Sequence, residues 1–424
     1  MNAVIDTLRD DTRPPPLQVE ESREFRSYHN FLRAARNYME GPLVAQMHDA
    51  YDAALERTPG EARPAPGDWR GVEALLDSTT EFQFYCWSYR NLQRFKYHRP
   101  SFGIFATLEA QRERLVAELE STARTAPPDE LRLNPTLQLP EYFRFVPFHQ
   151  HTGGVAHDAL DGLAYEIGRR TTVPAHADPN GIYRILFEAL PQRAWPRVLD
   201  WGTGHGAALI TWQQLHPESE CHGVDLSAPC LKVAHRRARE QGFHFHLSQQ
   251  DLEHLEYPND SFDLIFFNFM LHELPPAHTP ALLAEAARVL KPGGWLHVLS
   301  EDYGMLHFPT RNGVDPDRLW HEAVVPFTQS TGTDARIGRS TLPILRGLGF
   351  THTSVQYLTI DTERVPREHL AGIFTAWRDG YVEALAAAGR LSRYARQRRL
   401  RTPREPGRTR KPFEQGVNHV LRIF

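Results

Sequence analysis

Val198-Leu-Asp-Trp-Gly-Thr-Gly-His-Gly-Ala207 is the stretch that decides the fold. An apolar run ends in an acid, three glycines follow at alternate positions, and a helix-compatible segment begins. Glycines there permit a tight turn and let a ligand approach the backbone closely. The N–H groups of the following helix face that ligand. Asp225 closes the next expected strand, 25 residues after Asp200. A carboxylate there can accept both hydroxyls of a ribose.

Outward from this motif, short apolar runs alternate with amphipathic helices from about Trp195, which predicts βαβ units and a parallel sheet. Strands are expected over 197–201, 221–225, 243–247, 262–269 and 295–300, and helices over 206–215, 229–241 and 280–290. Ser227 suits an N-cap and Gly242 the position just past a helix. A helix over 340–348 leads into a strand over 351–360, and another helix runs from about 367 to 388.

Upstream, residues 1–20 are polar and hold Pro14-Pro15-Pro16, which reads as a flexible arm. Residues 21–145 read as a mainly helical domain, with Phe31, Ala34, Ala35, Tyr38 and Met39 at helical spacing. Its aromatic-dense stretch, Phe82 to His98, suits a helix core, a homodimer surface or a pocket wall. Residues 146–194 lead into a core domain over 195–389. In the tail, 390–424, ten basic residues face one acid between Arg390 and Lys411, a pattern usual for solvated or disordered chain.

Composition narrows the function classes. The chain has 424 residues, 41% hydrophobic and 24% charged, which is globular material for two or three domains. No apolar run approaches the roughly 20 residues needed to span a bilayer. A net charge of −4 argues against wholesale nucleic-acid binding, although 44 of the 48 basic residues are arginines. The start carries no apolar secretion signal, and Cys86, Cys221 and Cys230 form neither a disulfide framework nor a metal motif. A cytoplasmic location is the expectation.

Two cofactors suit the glycine loop. Gly202-x-Gly204-x-x-Ala207 also satisfies a dinucleotide fingerprint. Charge discriminates: a pyrophosphate wants a neutral or positive turn, whereas Asp200 stands just before the glycines and suits a cationic group such as an amino group. Gln250-Asp251-Leu252 follows the third strand, where a carboxylate can accept from an adenine amino group.

Together, Asp200-x-Gly-x-Gly-x-Gly, Asp225, Asp251, Phe262-Asp-Leu-Ile-Phe-Phe-Asn268 and Arg288-Val-Leu-Lys-Pro-Gly-Gly294 resemble the class I S-adenosylmethionine-dependent methyltransferases. Within them the ubiquinone/menaquinone-type (methyltransferase-11-like) subgroup, which also modifies natural products, is most similar, over about residues 145–390. The resemblance implies a Rossmann-like, doubly wound α/β fold with a seven-stranded sheet, here with an added helical N-terminal domain. It implies that Asp225, with Leu226 beside it, binds the cofactor ribose. Gln250, Asp251 and Leu252 would hold the adenine. Asp200, Gly202, Thr203, Gly204 and Gly206 would pack on the methionine portion, and Asn268 and Phe269 would lie beneath the sulfonium. Trp201 departs from the small or aliphatic residue usual after the acid, and is expected to reshape the floor of the site.

Ahead of the core, His149, His151 and His157 suit either structural roles, a metal or contacts to a methyl acceptor; no metal is expected. The subgroup's Tyr-Asp pair after this segment is matched by Tyr165-Glu166. The best candidate base is His272, with Glu273 beside it, because the segment after the fourth strand passes over the methyl position. Tyr303 also belongs to a segment that should border the site. The expected reaction is methyl transfer to O, N or C of a small-molecule acceptor. An NAD-type oxidoreductase, a non-catalytic cofactor-binding scaffold and an RNA or protein methyltransferase using the Arg-rich tail are the alternatives.

Overall fold

A computed structural model describes residues 13–64, 69–140, 143, 151, 154–172, 180–188, 190–270, 278–301, 347–348, 355–360 and 418–423. The first part is helical: α1 (Arg23–Tyr38), α2 (Val44–Arg57), α3 (Trp69–Asp77), α4 (Thr80–His98), α5 (Ile104–Glu109) and α6 (Arg112–Arg124). Ser22 and Thr79 start α1 and α4 by accepting from the N–H groups of Phe25 and Phe82. A two-residue strand, β1 (Leu131–Arg132), follows. Then come α7 (Asp161–Thr172) and α8 (Gly181–Glu188).

The core alternates as expected: β2 (Arg197–Trp201), α9 (Ala207–Leu215), β3 (Glu220–Asp225), α10 (Ala228–Glu240), β4 (His246–Gln249), β5 (Phe262–Asn268), α11 (Thr279–Val289) and β6 (Leu290–Glu301). Two further strands, β7 (Val355–Ile360) and β8 (Asn418–Ile423), complete one sheet of order β1-β4-β3-β2-β5-β6-β8-β7. The pairs up to β6 are parallel, while β8 runs antiparallel between β6 and β7. The strand order reverses at β2, which has β3 on one side and β5 on the other. In such sheets ligands bind beyond the carboxyl ends of the strands at that reversal.

Both faces of the sheet are covered. Residues such as Val198, Phe266, Leu209, Trp212 and Leu231 form one apolar layer, which α8, α9 and α10 cover. Leu199, Trp201, Phe267 and Leu283 belong to the other, which α11 covers. This alternation along β2 and β5 is the two-residue period of a strand buried on both faces.

Among the described residues the sheet has eight strands, one more than the expected seven, since Leu131 and Arg132 pair with Leu247 and Ser248 and extend its edge. The Arg-rich run 390–411 lies outside the described residues, and beyond it residues 418–423 form strand β8. Residues 13–20 are not a loose arm. Leu17 is buried in an apolar seam with Leu108, Leu115, Leu119 and Val233, and its N–H donates to Glu240. The carbonyls of Pro15, Leu17 and Gln18 accept from Arg236, Arg237 and Arg114. A segment poor in apolar residues is held here by its backbone acceptors, which composition does not reveal.

The aromatic stretch of α4 turns mostly inward. Phe82, Phe84, Tyr85 and Leu92 join Leu32, Tyr38, Met47 and Tyr51 in a core of the helical layer. Phe95 alone of the described aromatics in this helix is substantially exposed, at 39%. The helix expected over 340–348 falls almost wholly outside the described residues, and that over 367–388 entirely so.

Candidate active site

The glycine loop leaves the carboxyl end of β2 and is tied to β3. The N–H groups of Gly202 and Thr203 both donate to the Val224 carbonyl, at 2.9 and 3.0 Å. Gly206 begins α9 at φ +82°, and a Cβ there would stand 2.9 Å from the Ala234 methyl of α10. Glycine is therefore required twice over, by backbone conformation and by close helix approach. Gly204, at φ +53°, donates its N–H to Asp225 Oδ2 at 2.8 Å. Ser227 donates to the other Asp225 oxygen, also at 2.8 Å. Asp225 is thereby aimed by two backbone donors at the rim of the loop.

Asp200 lies deeper, 2% exposed, and accepts from the Thr203 hydroxyl at 2.8 Å. Burial, helped by the nearby Asp225 charge and opposed by the Thr203 bond, pushes its pKa up to about 7. A carboxylate held on the edge of ionisation suits a cation that would draw it into its charged form.

Asn268 ends β5, beside the reversal point. Among the described residues neither end of its buried side-chain amide has a hydrogen-bond partner. An unmet buried amide costs about 1–3 kcal/mol, which a bound ligand would recover. Phe269 follows in the left-handed region at φ +57°, a conformation that non-glycine residues adopt at a cost. Its ring meets Tyr183 of α8 edge-on at 6.5 Å.

The remaining expected cofactor residues divide. Asp251 is half-buried and uses Oδ1 to accept from Glu253 N–H at 3.0 Å, which shapes the turn after β4. Leu252 is buried beside it. Gln250 is a brace: its amide donates to Ser248 Oγ and accepts from Glu256 N–H, both at 2.7 Å. Leu226 is buried, and its carbonyl accepts from Gln249. Trp201 does not form the floor of the site. The strand pleat turns its side chain away from that of Asp200, into the layer under α11, edge-on to Phe267 at 5.7 Å.

Of the residues ahead of the core, Tyr165 reaches the loop. Its ring lies 3.4 Å from where a Gly204 Cβ would stand, and edge-on to His205. Its neighbour Glu166 makes a bidentate ion pair with Arg237, 2.9 Å at each contact, which clamps α7 to α10. Burial favours a neutral Glu166, but Arg237 outweighs it and holds the carboxyl below its usual range. His151 goes elsewhere. It is fully buried, stacked on Tyr97 of α4 at 4.8 Å, with Nε2 3.3 Å from Asp161. His157 is exposed, and its backbone N–H donates to the same Asp161. His149, His272, Glu273 and Tyr303 lie outside the described residues.

Sequence reasoning missed Tyr183, Met270 and His205. Tyr183 sits in a helical pattern with no motif. Met270 sulfur would stand 2.7 Å from a Cβ at Gly202, so it packs directly on the loop. His205 is inside the glycine motif but buried, and burial with nearby Arg169 brings its pKa down to about 4, so it is neutral.

Residues 198–294 match a family described as a methyltransferase domain. The phthiotriol/phenolphthiotriol dimycocerosates methyltransferase of Mycobacterium leprae is 32% identical over 159 residues, 36% of this chain and 57% of that protein. The demethylmenaquinone methyltransferase of Lactobacillus johnsonii is 30% identical over 146 residues, 34% of this chain and 59% of that protein. The chain thus spans under two thirds of these relatives' lengths. A solved structure of Haemonchus contortus phosphoethanolamine N-methyltransferase 2 with S-adenosyl-L-methionine matches at 19% identity and a TM-score of 0.40, over 67% of this chain and 59% of that one.

The Asp200 environment sets a pH dependence. Its folded pKa, about 7, lies above its ordinary value of 3.8. Below that ordinary value both states are protonated and nothing is lost. As pH rises toward 7, the unfolded chain releases a proton that the folded chain retains, so stability falls; above 7 the penalty is constant. Asp200→Asn should therefore gain on the parent between pH 4 and pH 7, by about 2–4 kcal/mol in urea unfolding. A difference that stays flat with pH would show that Asp200 ionises freely in the fold.

Proposed function

We propose that this chain is a class I methyltransferase, which transfers a methyl group from S-adenosylmethionine to O, N or C of a small-molecule acceptor, in a natural-product pathway. The observation that carries this reading is the cradle at the carboxyl ends of β2, β3 and β5. There a twice-anchored Asp225, a buried Asp200 and the unmet Asn268 amide converge around one glycine loop. The two named relatives are both methyltransferases whose names refer to small molecules.

When bound, S-adenosylmethionine supplies a methyl group already activated by the sulfonium charge. The protein's task is to align an acceptor with the S–CH₃ bond and exclude water. Asp225 would accept from the ribose hydroxyls, and its two backbone donors keep it aimed. Asp200 accepts from the amino group, whose positive charge stabilises the carboxylate that burial disfavours. Asp251 takes the adenine amino group, with Leu252 against the ring. Asn268 and Phe269 would sit beside the sulfonium, and Tyr165, whose ring lies against Gly204, would help exclude water. No metal takes part in this reading.

His272, with Glu273 beside it, is the base when the acceptor must lose a proton during attack. Tyr303, His149 and His157 border the acceptor. The helical layer, 21–145, bears on the acceptor side or pairs two copies of the chain. No described helix is long and apolar enough to cross a membrane, and the reading places the protein in the cytoplasm.

Asp225→Ala should weaken S-adenosylhomocysteine binding by about 10–100-fold, since charge-assisted hydrogen bonds are lost and water only partly replaces them. Titration calorimetry measures this, and an unchanged dissociation constant would remove Asp225 from the site.

For His272→Ala, turnover should fall by about 10²–10⁴-fold with S-adenosylhomocysteine affinity nearly intact. A fall of less than about fivefold would mean that transfer rests on positioning alone.

A further inference from the structure

We propose that Glu220, His222 and His246 form a second site, for a divalent metal of the zinc class, at the end of the sheet remote from the glycine loop. His222 lies in β3, three residues before Asp225, so the two are roughly 10 Å apart along the strand. The site is independent of methyl transfer.

The placement follows from strand register. His222 and His246 are direct partners across β3 and β4, so their rings share a face and stack at 4.6 Å. Glu220 is two residues before His222 and shares that face by the strand pleat. One ligand atom from each residue lies within 4.8 Å of the others. Glu220 Oε1 is 2.7 Å from His222 Nε2 and 3.9 Å from His246 Nε2. Ligands about 2.0–2.2 Å from a tetrahedral zinc stand about 3.4 Å apart. These separations bracket that value, so small side-chain rotations suffice.

The surroundings prepare the donors. His246 Nδ1 is 2.8 Å from the Asp129 carbonyl, which can only accept. That nitrogen therefore carries the ring proton, and in the neutral ring Nε2 offers its lone pair toward Glu220. This is the orientation that a carbonyl partner gives to metal-binding histidines. Two imidazoles and one carboxylate select zinc or its borderline neighbours over calcium or magnesium. The side chains of Glu220 and His246 are 46% and 35% exposed, which gives an ion a way in.

One cation already competes. Arg197 donates through Nε to Glu220 at 3.0 Å, and its terminal nitrogen is 3.3 Å from His222 Nε2. The Arg197 guanidinium also lies over the Phe262 ring. A metal must displace this guanidinium from the carboxylate, so removing it should strengthen metal binding.

The test uses the full, untagged chain, stripped with chelator and titrated with Zn²⁺ alone by calorimetry. One strong equivalent is expected, with a higher melting temperature. Co²⁺ at the same site should give the intense visible bands of tetrahedral coordination. His246→Asn and Glu220→Gln, both at partly exposed positions, should each weaken binding by about tenfold or more, and Arg197→Gln should tighten it several-fold. Zinc binding that His246→Asn and Glu220→Gln leave unchanged, or none at about 100 µM, would overturn the proposal.

Discussion

Two backbone N–H groups, of Gly202 and Thr203, converge on the carbonyl oxygen of Val224. This junction welds the glycine loop to the end of the neighbouring strand, and the candidate site depends on it. With the loop fixed there, the Gly204 N–H reaches the Asp225 carboxylate and α9 starts against Ala234 of α10. Asp200, the last inward residue of β2 on its face, is trapped beneath the loop with Thr203 as its partner. A bulkier residue at Gly206 would separate α9 from α10 and loosen the junction from the helix side.

The helical layer bears on this junction through α7. Its Tyr165 lies on the loop, while Glu166 and Arg237 clamp the helix to α10. Behind α7, His151 stacks on Tyr97 of α4 and faces Asp161 at the start of α7, so this residue ties the two helices together. Arg236 and Arg237 take the carbonyls of Pro15 and Leu17 as well, so α10 gathers the chain start, α6 and α7 around one helix.

The central strands were legible because each is buried on both faces and bounded by turn residues. The span of β2 is as expected, residue for residue, and β3 and β5 differ by one residue at one end. Strand β4 was placed three residues early at its start. Phe243 and Phe245 are apolar and stack on each other, but pairing with β3 begins only at His246. Strand β8 is a short segment, with Val420, Leu421 and Ile423, that follows an Arg-rich run, and β1 is only two residues long; both are fixed by pairing with distant strands. At the site, Asp200, Asp225 and the glycines stood out through spacing. Trp201 was misplaced because a motif fixes the backbone order, whereas the pleat fixes which face a side chain takes. The Gln250 amide is engaged within its own turn, which spacing does not reveal.

The central claim is that a buried, half-ionised Asp200 receives the positive amino group of an S-adenosyl ligand. Calorimetric titration with S-adenosylhomocysteine at pH 7, in two buffers of different ionisation heat, tests it directly. Asp200 has a pKa of about 7 in the empty fold, so a ligand ammonium group that draws it into its charged form must expel a fraction of a proton. One-to-one binding is expected, with a buffer-dependent heat that disappears in Asp200→Asn. Tight binding with the same heat in both buffers, or no binding at all, would contradict it.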